Sequence, residues 1–143
     1  MQLSEQWVLV TGGARGLGQS ITRALAREGA GVVINYLHSD AAAQALAEEL
    51  GPRALALQAD VTDAAAVQRL FAQVRERTGQ PISAVVNNAL AQFRFDGDAR
   101  PQIGDITWQR FAQQLEGAVK GALNTTQAAL PAMREQGFGR IVN

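Results

Sequence analysis

A short apolar run, Trp7 to Thr11, ends in the glycine-rich turn Thr11-Gly12-Gly13-Ala14-Arg15-Gly16-Leu17-Gly18. Beyond it the pattern turns helical. Leu17, Ile21, Ala24 and Leu25 recur on one face of a helix from Gly16 to Glu28, until Gly29 offers a left-handed cap. A buried strand that passes through glycines into a helix is the first half of a βαβ unit. There the free N–H groups and the positive dipole end of the helix face the turn and make it an anion site. Gly12 permits the sharp turn, Gly16 leaves the backbone open to a pyrophosphate, and Gly18 lets the helix pack closely on the strand. An ordinary glycine-rich turn is the competing reading, and the position at the first strand–helix junction argues against it.

The remaining chain keeps alternating. Val32 to Ile34 is a second strand. Ser39 caps a helix that runs to Leu50, where Gly51-Pro52 ends it. Ala54 to Gln58 is a third strand, Thr62 or Asp63 starts a third helix, and Gly79 closes it. Ile82 to Asn87 is a fourth strand, and 90–106 a polar loop rich in turn residues. A long helix from Thr107 to Gln136 carries the stripe Trp108, Phe111, Ala112, Leu115, Val119, Ala122, Leu123, Thr126, Leu130 and Met133, with Pro131 bending its last turn. Arg140 to Asn143 opens a fifth strand. Alternation of this kind predicts an α/β fold, a doubly wound parallel sheet with right-handed crossovers in the order 3-2-1-4-5, ending at the fifth strand. One dinucleotide-binding domain over 1–143, without linker or repeat, is the expectation.

Composition narrows the chemistry. With 47% apolar and 18% charged residues, 143 residues suffice for a globular core. Zero net charge and scattered arginines give no nucleic-acid footprint. There is no cysteine and one histidine, His38, so neither a thiolate nucleophile nor a His/Cys metal site is expected. No apolar run approaches the ~20 residues that span a bilayer, and the start lacks a basic-then-apolar leader. A cytoplasmic protein without membrane or nucleic-acid partners is expected. Asn124-Thr125-Thr126 spells a glycosylation sequon but falls inside the helical pattern.

The glycine spacing is G-x-x-x-G-x-G, and T-G-x-x-x-G-x-G resembles the short-chain dehydrogenase/reductase family. Asp60-Val61 looks like its adenine-contacting pair, Asn87-Asn88-Ala89 like its N-N-A-G, Val119 to Thr126 like its long central helix, and Gly139 to Asn143 like its fifth strand. The likeness covers the whole chain in order and looks nearest to 3-oxoacyl-carrier-protein reductases. It implies a Rossmann-like fold and an oxidoreductase that reduces a 3-oxoacyl-type carbonyl or oxidises an alcohol. It also implies a homo-oligomer packed through the long helix. Gly12, Arg15, Gly16, Leu17, Gly18, Tyr36, His38, Ser39, Asp60, Val61, Asn88, Ala89 and Leu90 are then the candidate cofactor contacts.

Three departures limit what carries over. Leu90 stands where N-N-A-G has its last glycine, and Ala118 where the long helix usually carries an asparagine that holds a relay water. The family's serine and Tyr-x-x-x-Lys pair lie past its fifth strand and are absent from these 143 residues, so no catalytic residue is assigned. A non-catalytic dinucleotide-binding module, or an inactive truncated fragment, is the alternative reading.

An NAD site places an acid about 20 residues past the glycines to hold the ribose 2′-hydroxyl. Here Asn35-Tyr36-Leu37-His38-Ser39 holds none before Asp40. Arg15 can reach a 2′-phosphate, and His38 and Ser39 can add donors. NADP(H) is expected over NAD(H), which remains possible; a solvated Arg15 and a plain surface His38 are the alternatives. Asp60 could instead cap the third helix, and Phe93 and Phe95 could be substrate-side aromatics or a local anchor.

Overall fold

The computed structural model describes residues 1–90 and 101–143; Phe93, Phe95 and most of the expected 90–106 loop lie outside the described residues. Five strands form one sheet: β1 (Trp7–Val10), β2 (Gly31–Tyr36), β3 (Ala54–Gln58), β4 (Ile82–Val86) and β5 (Arg140–Val142). All neighbours pair in parallel, in the order β3-β2-β1-β4-β5. The helices are α1 (Gly16–Arg27), α2 (Asp40–Leu50), α3 (Ala64–Thr78), α4 (Trp108–Leu115) and α5 (Gly121–Glu135). The expected fold class and strand order are therefore observed. Helices on both faces leave β1 and β2 buried along their whole length, and near-continuous apolar runs suit such strands.

The core lies on both faces of the sheet. On one, Leu9, Val33, Leu57 and Val85 pack with Leu70 and Val74 of α3 and Ala129 and Met133 of α5. On the other, Ile34 and Tyr36 meet Ala43 and Leu46 of α2, and Val8 and Val32 meet Leu25 and Ala26 of α1. Capping decides the boundaries. Asp63 accepts from the Ala65 and Ala66 amides and starts α3, and Gly79 ends it at φ +69°. Ser39 precedes α2 but makes no side-chain cap.

Two helices depart from the face that the apolar spacing predicts. In α1 the face is shifted: Leu25 packs on the sheet as expected, but Gly18 and Thr22 are the buried residues beside it and Leu17 is 70% exposed. The long helix is one right-handed path with a π-helical turn over Glu116–Lys120, and it turns its large apolar stripe outward. Trp108, Phe111, Leu115, Val119 and Leu123 are exposed. Its packed face is small and polar: Gly117, Gly121, Asn124, Thr125 and Ala129, then Met133. The reason is distance. A Cβ on Gly121 would sit 2.8 Å from Val61 Cγ2, so the helix approaches the β3–α3 loop only because residue 121 is glycine. Pro131 lies on the exposed side, and the helix runs on to Glu135.

The reversed face has a measurable consequence. Gly121→Ala should cost ~1–3 kcal/mol through overpacking. Val119→Ser, on the apolar but exposed row, should stay within about 0.5 kcal/mol of the parent. Urea denaturation of both variants checks the order.

Candidate dinucleotide-binding site

β1 and β4 are neighbours whose connections leave in opposite directions, so a crevice opens beyond their carboxyl ends. The glycine-rich turn fills the β1 side. Thr11 anchors it: the Thr11 amide donates to the Val86 carbonyl at 3.0 Å, and Oγ1 accepts from the Asn88 and Ala89 amides at 2.9 and 3.0 Å. Asn88 answers by donating Nδ2 to the Thr11 carbonyl at 3.0 Å and the Gly12 carbonyl at 3.3 Å. Thr22, fully buried, donates Oγ1 toward the Gly13 and Gly18 carbonyls at 3.2 and 2.9 Å. Thr11, Asn88 and Thr22 thus hold the turn, and Asn35 Oδ1 accepts from its Gly12 amide as well.

The glycines divide the labour. At Gly18 a Cβ would lie 2.2 Å from the Gly12 carbonyl oxygen and 2.6 Å from Asn88 Nδ2. Its absence lets α1 pack on the turn itself, a closer partner than the strand the sequence suggests. Gly16 has φ +54°, yet a Cβ there would meet nothing within 4 Å. Backbone conformation requires glycine at 16, and the space before it is open. Arg15 precedes α1 in extended conformation and makes no side-chain cap, unlike Asp63 at α3. The first N–H groups of α1 therefore face this space without a side-chain cap, which is what an incoming phosphate uses.

The other candidates surround the crevice unevenly. Asp60 is half-buried, and its Oδ1 accepts from the amide and hydroxyl of Thr62 at 2.8 and 2.7 Å. Asp63 is the cap of α3, so Asp60 shapes the turn before that helix. Val61 lies against Gly121, and its carbonyl accepts from Asn124 Nδ2 at 2.8 Å. This buried amide occupies the residue of the sequon. Arg15 and His38 are exposed and Ser39 half-buried. Among the described residues, no ion pair engages Arg15. Tyr36 is buried under α2, and its hydroxyl donates to Asp40 Oδ1. That hydrogen bond, with burial second, raises the phenol above its ordinary value. Leu90 is 53% exposed at the mouth of the β4 side, and Ala118 is exposed within the π-helical turn.

Sequence reasoning gave Thr22, Asn35, Asn87 and Thr125 no place among the candidate site residues. Thr125 Oγ1 donates to Asn87 Oδ1 at 2.7 Å, and Asn87 Nδ2 donates to Asn143 Oδ1 at 2.8 Å, which ties α5 to the ends of β4 and β5. The available signal was a polar residue placed inside an apolar buried run. Among the described residues no cluster of His, Asp and Glu could hold a metal, and no helix is long and apolar enough to cross a membrane. Two shallow clefts of about 360 and 280 Å³ run along the outer side of α1; Ala24, Leu25, Arg27 and Glu28 line the larger. Neither includes a residue of the turn.

A parallel sheet with an open glycine turn at its switch point is the doubly wound α/β architecture. The short chain dehydrogenase family model matches residues 6–143, and the chain belongs to that family. It is 40% identical to a sorbitol dehydrogenase of Cereibacter sphaeroides over 144 residues, covering 100% of this chain and 53% of that protein. It is 35% identical over 139 residues to a 3-oxoacyl-[acyl-carrier-protein] reductase of Staphylococcus aureus, covering 94% of this chain and 53% of that protein. A crystal structure of a short-chain dehydrogenase from Streptomyces avermitilis superposes with a TM-score of 0.79 at 30% identity, over 96% of this chain and 48% of that one. The chain spans about half the length of the curated relatives it matches.

Thr11 gives the direct test of the anchoring. Thr11→Val keeps the shape but leaves the Asn88 and Ala89 amides without their acceptor, and should cost about 2 kcal/mol or more. Thr11→Ser keeps the oxygen and should cost less than half as much. Chemical denaturation of the three proteins measures both.

Proposed function

We propose that this chain is the NADP(H)-binding portion of a short-chain oxidoreductase that reduces a 3-oxoacyl-type carbonyl or oxidises an alcohol. The observation that carries the reading is the uncapped start of α1 facing open space at Gly16, at the β1/β4 switch point. Gly16 to Gly18 would receive the pyrophosphate, Asp60 and Val61 the adenine side, and Asn88 to Leu90 the nicotinamide side. When bound, the nicotinamide supplies or takes the hydride; these residues bind and orient it.

Preference for the 2′-phosphate rests on charge. Arg15 is exposed beside the turn and engaged in no ion pair among the described residues. Asp40, the first acid after β2, is already bonded to the Tyr36 hydroxyl. His38 and Ser39 lie on the same connection. The relatives divide between a polyol and a 3-oxoacyl group in their names, so the substrate class proposed is a carbonyl or secondary alcohol. A binding module without turnover is the second reading, and two features inside the chain favour it: Leu90 in place of the motif's glycine and Ala118 in place of the helix asparagine. The exposed row of α4 and α5 supports assembly of identical copies.

Calorimetric titration with NADP+ and NAD+ tests the reading. The chain should bind NADP+ more tightly. Arg15→Ala should weaken NADP+ by about tenfold, the worth of one exposed charge-assisted hydrogen bond, and leave NAD+ nearly unchanged. Equal affinity for both, or a loss shared by both, contradicts the assignment of Arg15.

A further inference from the structure

The next-to-last residue of β2 is polar where its surroundings do not lead one to expect it. Val32, Val33 and Ile34 are fully buried, and Asn35 follows them at 2% exposure. A buried primary amide brings two donors and an acceptor, and each must find a partner. Asn35 Oδ1 accepts from the Gly12 amide at 3.4 Å. Its Nδ2 donates to the Ala59 carbonyl at 3.0 Å and points toward the Leu57 carbonyl at 3.5 Å. Its own backbone carbonyl accepts from the Gly13 amide at 3.0 Å. Only this orientation of the amide works, since the flipped one sets Nδ2 against an N–H and Oδ1 against two carbonyls.

β2 lies between β1 and β3, so this one side chain spans the exits of three strands. The exits of β1 and β3 lead straight to proposed subsites. Gly12 opens the turn that reaches Gly16, and Ala59 precedes Asp60, whose carboxylate is set by Thr62. We propose that Asn35 is a positioning residue that couples the phosphate turn to the adenine-side wall, fixing the spacing that an adenosine diphosphate moiety must bridge. This rests on the dinucleotide reading above and adds a residue that touches no cofactor. A hydrophobic residue of similar size would leave the Gly12 amide and the Ala59 carbonyl unmet, and each would be free to move independently.

Asn35→Asp separates coupling from bulk stability by pH. While neutral, the introduced carboxyl repeats the native pattern: its C=O accepts from Gly12 and its O–H donates to Ala59. Once ionised it has only acceptors, and one oxygen faces two carbonyls. Burial raises its titration above the ordinary carboxylate range. The probe is ADP-ribose, whose pyrophosphate diester keeps its charge between pH 5 and 8. Relative to the parent at the same pH, the variant should bind about tenfold more weakly at pH 8 and within about twofold at pH 5. The uncharged Asn35→Ser, too short for either contact, should lose about tenfold at both. A variant-to-parent ratio for Asn35→Asp that is the same at both pH values, or Asn35→Ser binding like the parent, overturns the proposal. Should the parent bind neither ADP-ribose nor NADP+, the dinucleotide reading itself fails. The ligand-free spectrum of Asn35→Asp then decides the coupling. The Gly12 amide and Ala59 carbonyl-carbon resonances moving together with pH supports it, and either one staying fixed overturns it.

Discussion

Everything in the crevice depends on how the chain leaves β1. Four residues after Trp7 the backbone must stop pairing as a strand, turn, and start a helix, without leaving buried polar groups unmet. Thr11 solves this by serving β4 on one side, with its hydroxyl oxygen accepting two amides from the β4 exit. Asn88 returns the contact to the carbonyls of Thr11 and Gly12. Among the described residues no buried side-chain polar atom lacks a partner. The two strands that flank the switch point are thus locked to each other at the level where a ligand would sit.

Close approach is the second theme, and small residues carry it. Gly18 brings α1 onto the turn, and Gly121 brings α5 onto Val61. Asn124 and Thr125 then reach the Val61 carbonyl and Asn87. Both helices make the same trade: a glycine and a threonine face inward, Gly18 and Thr22 in α1 and Gly121 and Thr125 in α5, while Leu17 and Leu123 face out. Packing of α5 therefore positions the β3–α3 loop and the β4 exit together, the two segments that flank the turn.

Much of this was legible. Alternating apolar runs and glycine punctuation located every strand to within two residues at its ends and gave the sheet order, because buried parallel strands leave few other readings. The glycine spacing located the turn for a physical reason, since only glycine serves at φ +54° in residue 16 and at 2.2 Å from a carbonyl in residue 18. Helix facing was not legible. Apolar periodicity assumes that large side chains point inward; at Gly18 of α1 and Gly121 of α5 close backbone approach outranked it, and α4 buries no residue at all. Nor was Asn35 visible as more than a missing acid, because its value lies in contacts 22 to 24 residues away across the sheet.

The central claim is that the open start of α1, braced by Thr11 and Asn88, is where a nicotinamide dinucleotide binds. Amide chemical-shift mapping of the chain with NADP+ tests it most directly. The account predicts the largest shifts at Gly12 to Gly18, with smaller ones at Asp60, Val61 and Asn88 to Leu90. Shifts centred on Arg23, Arg27 and Glu49 along the outer clefts of α1, or no shifts at saturating NADP+, would contradict it.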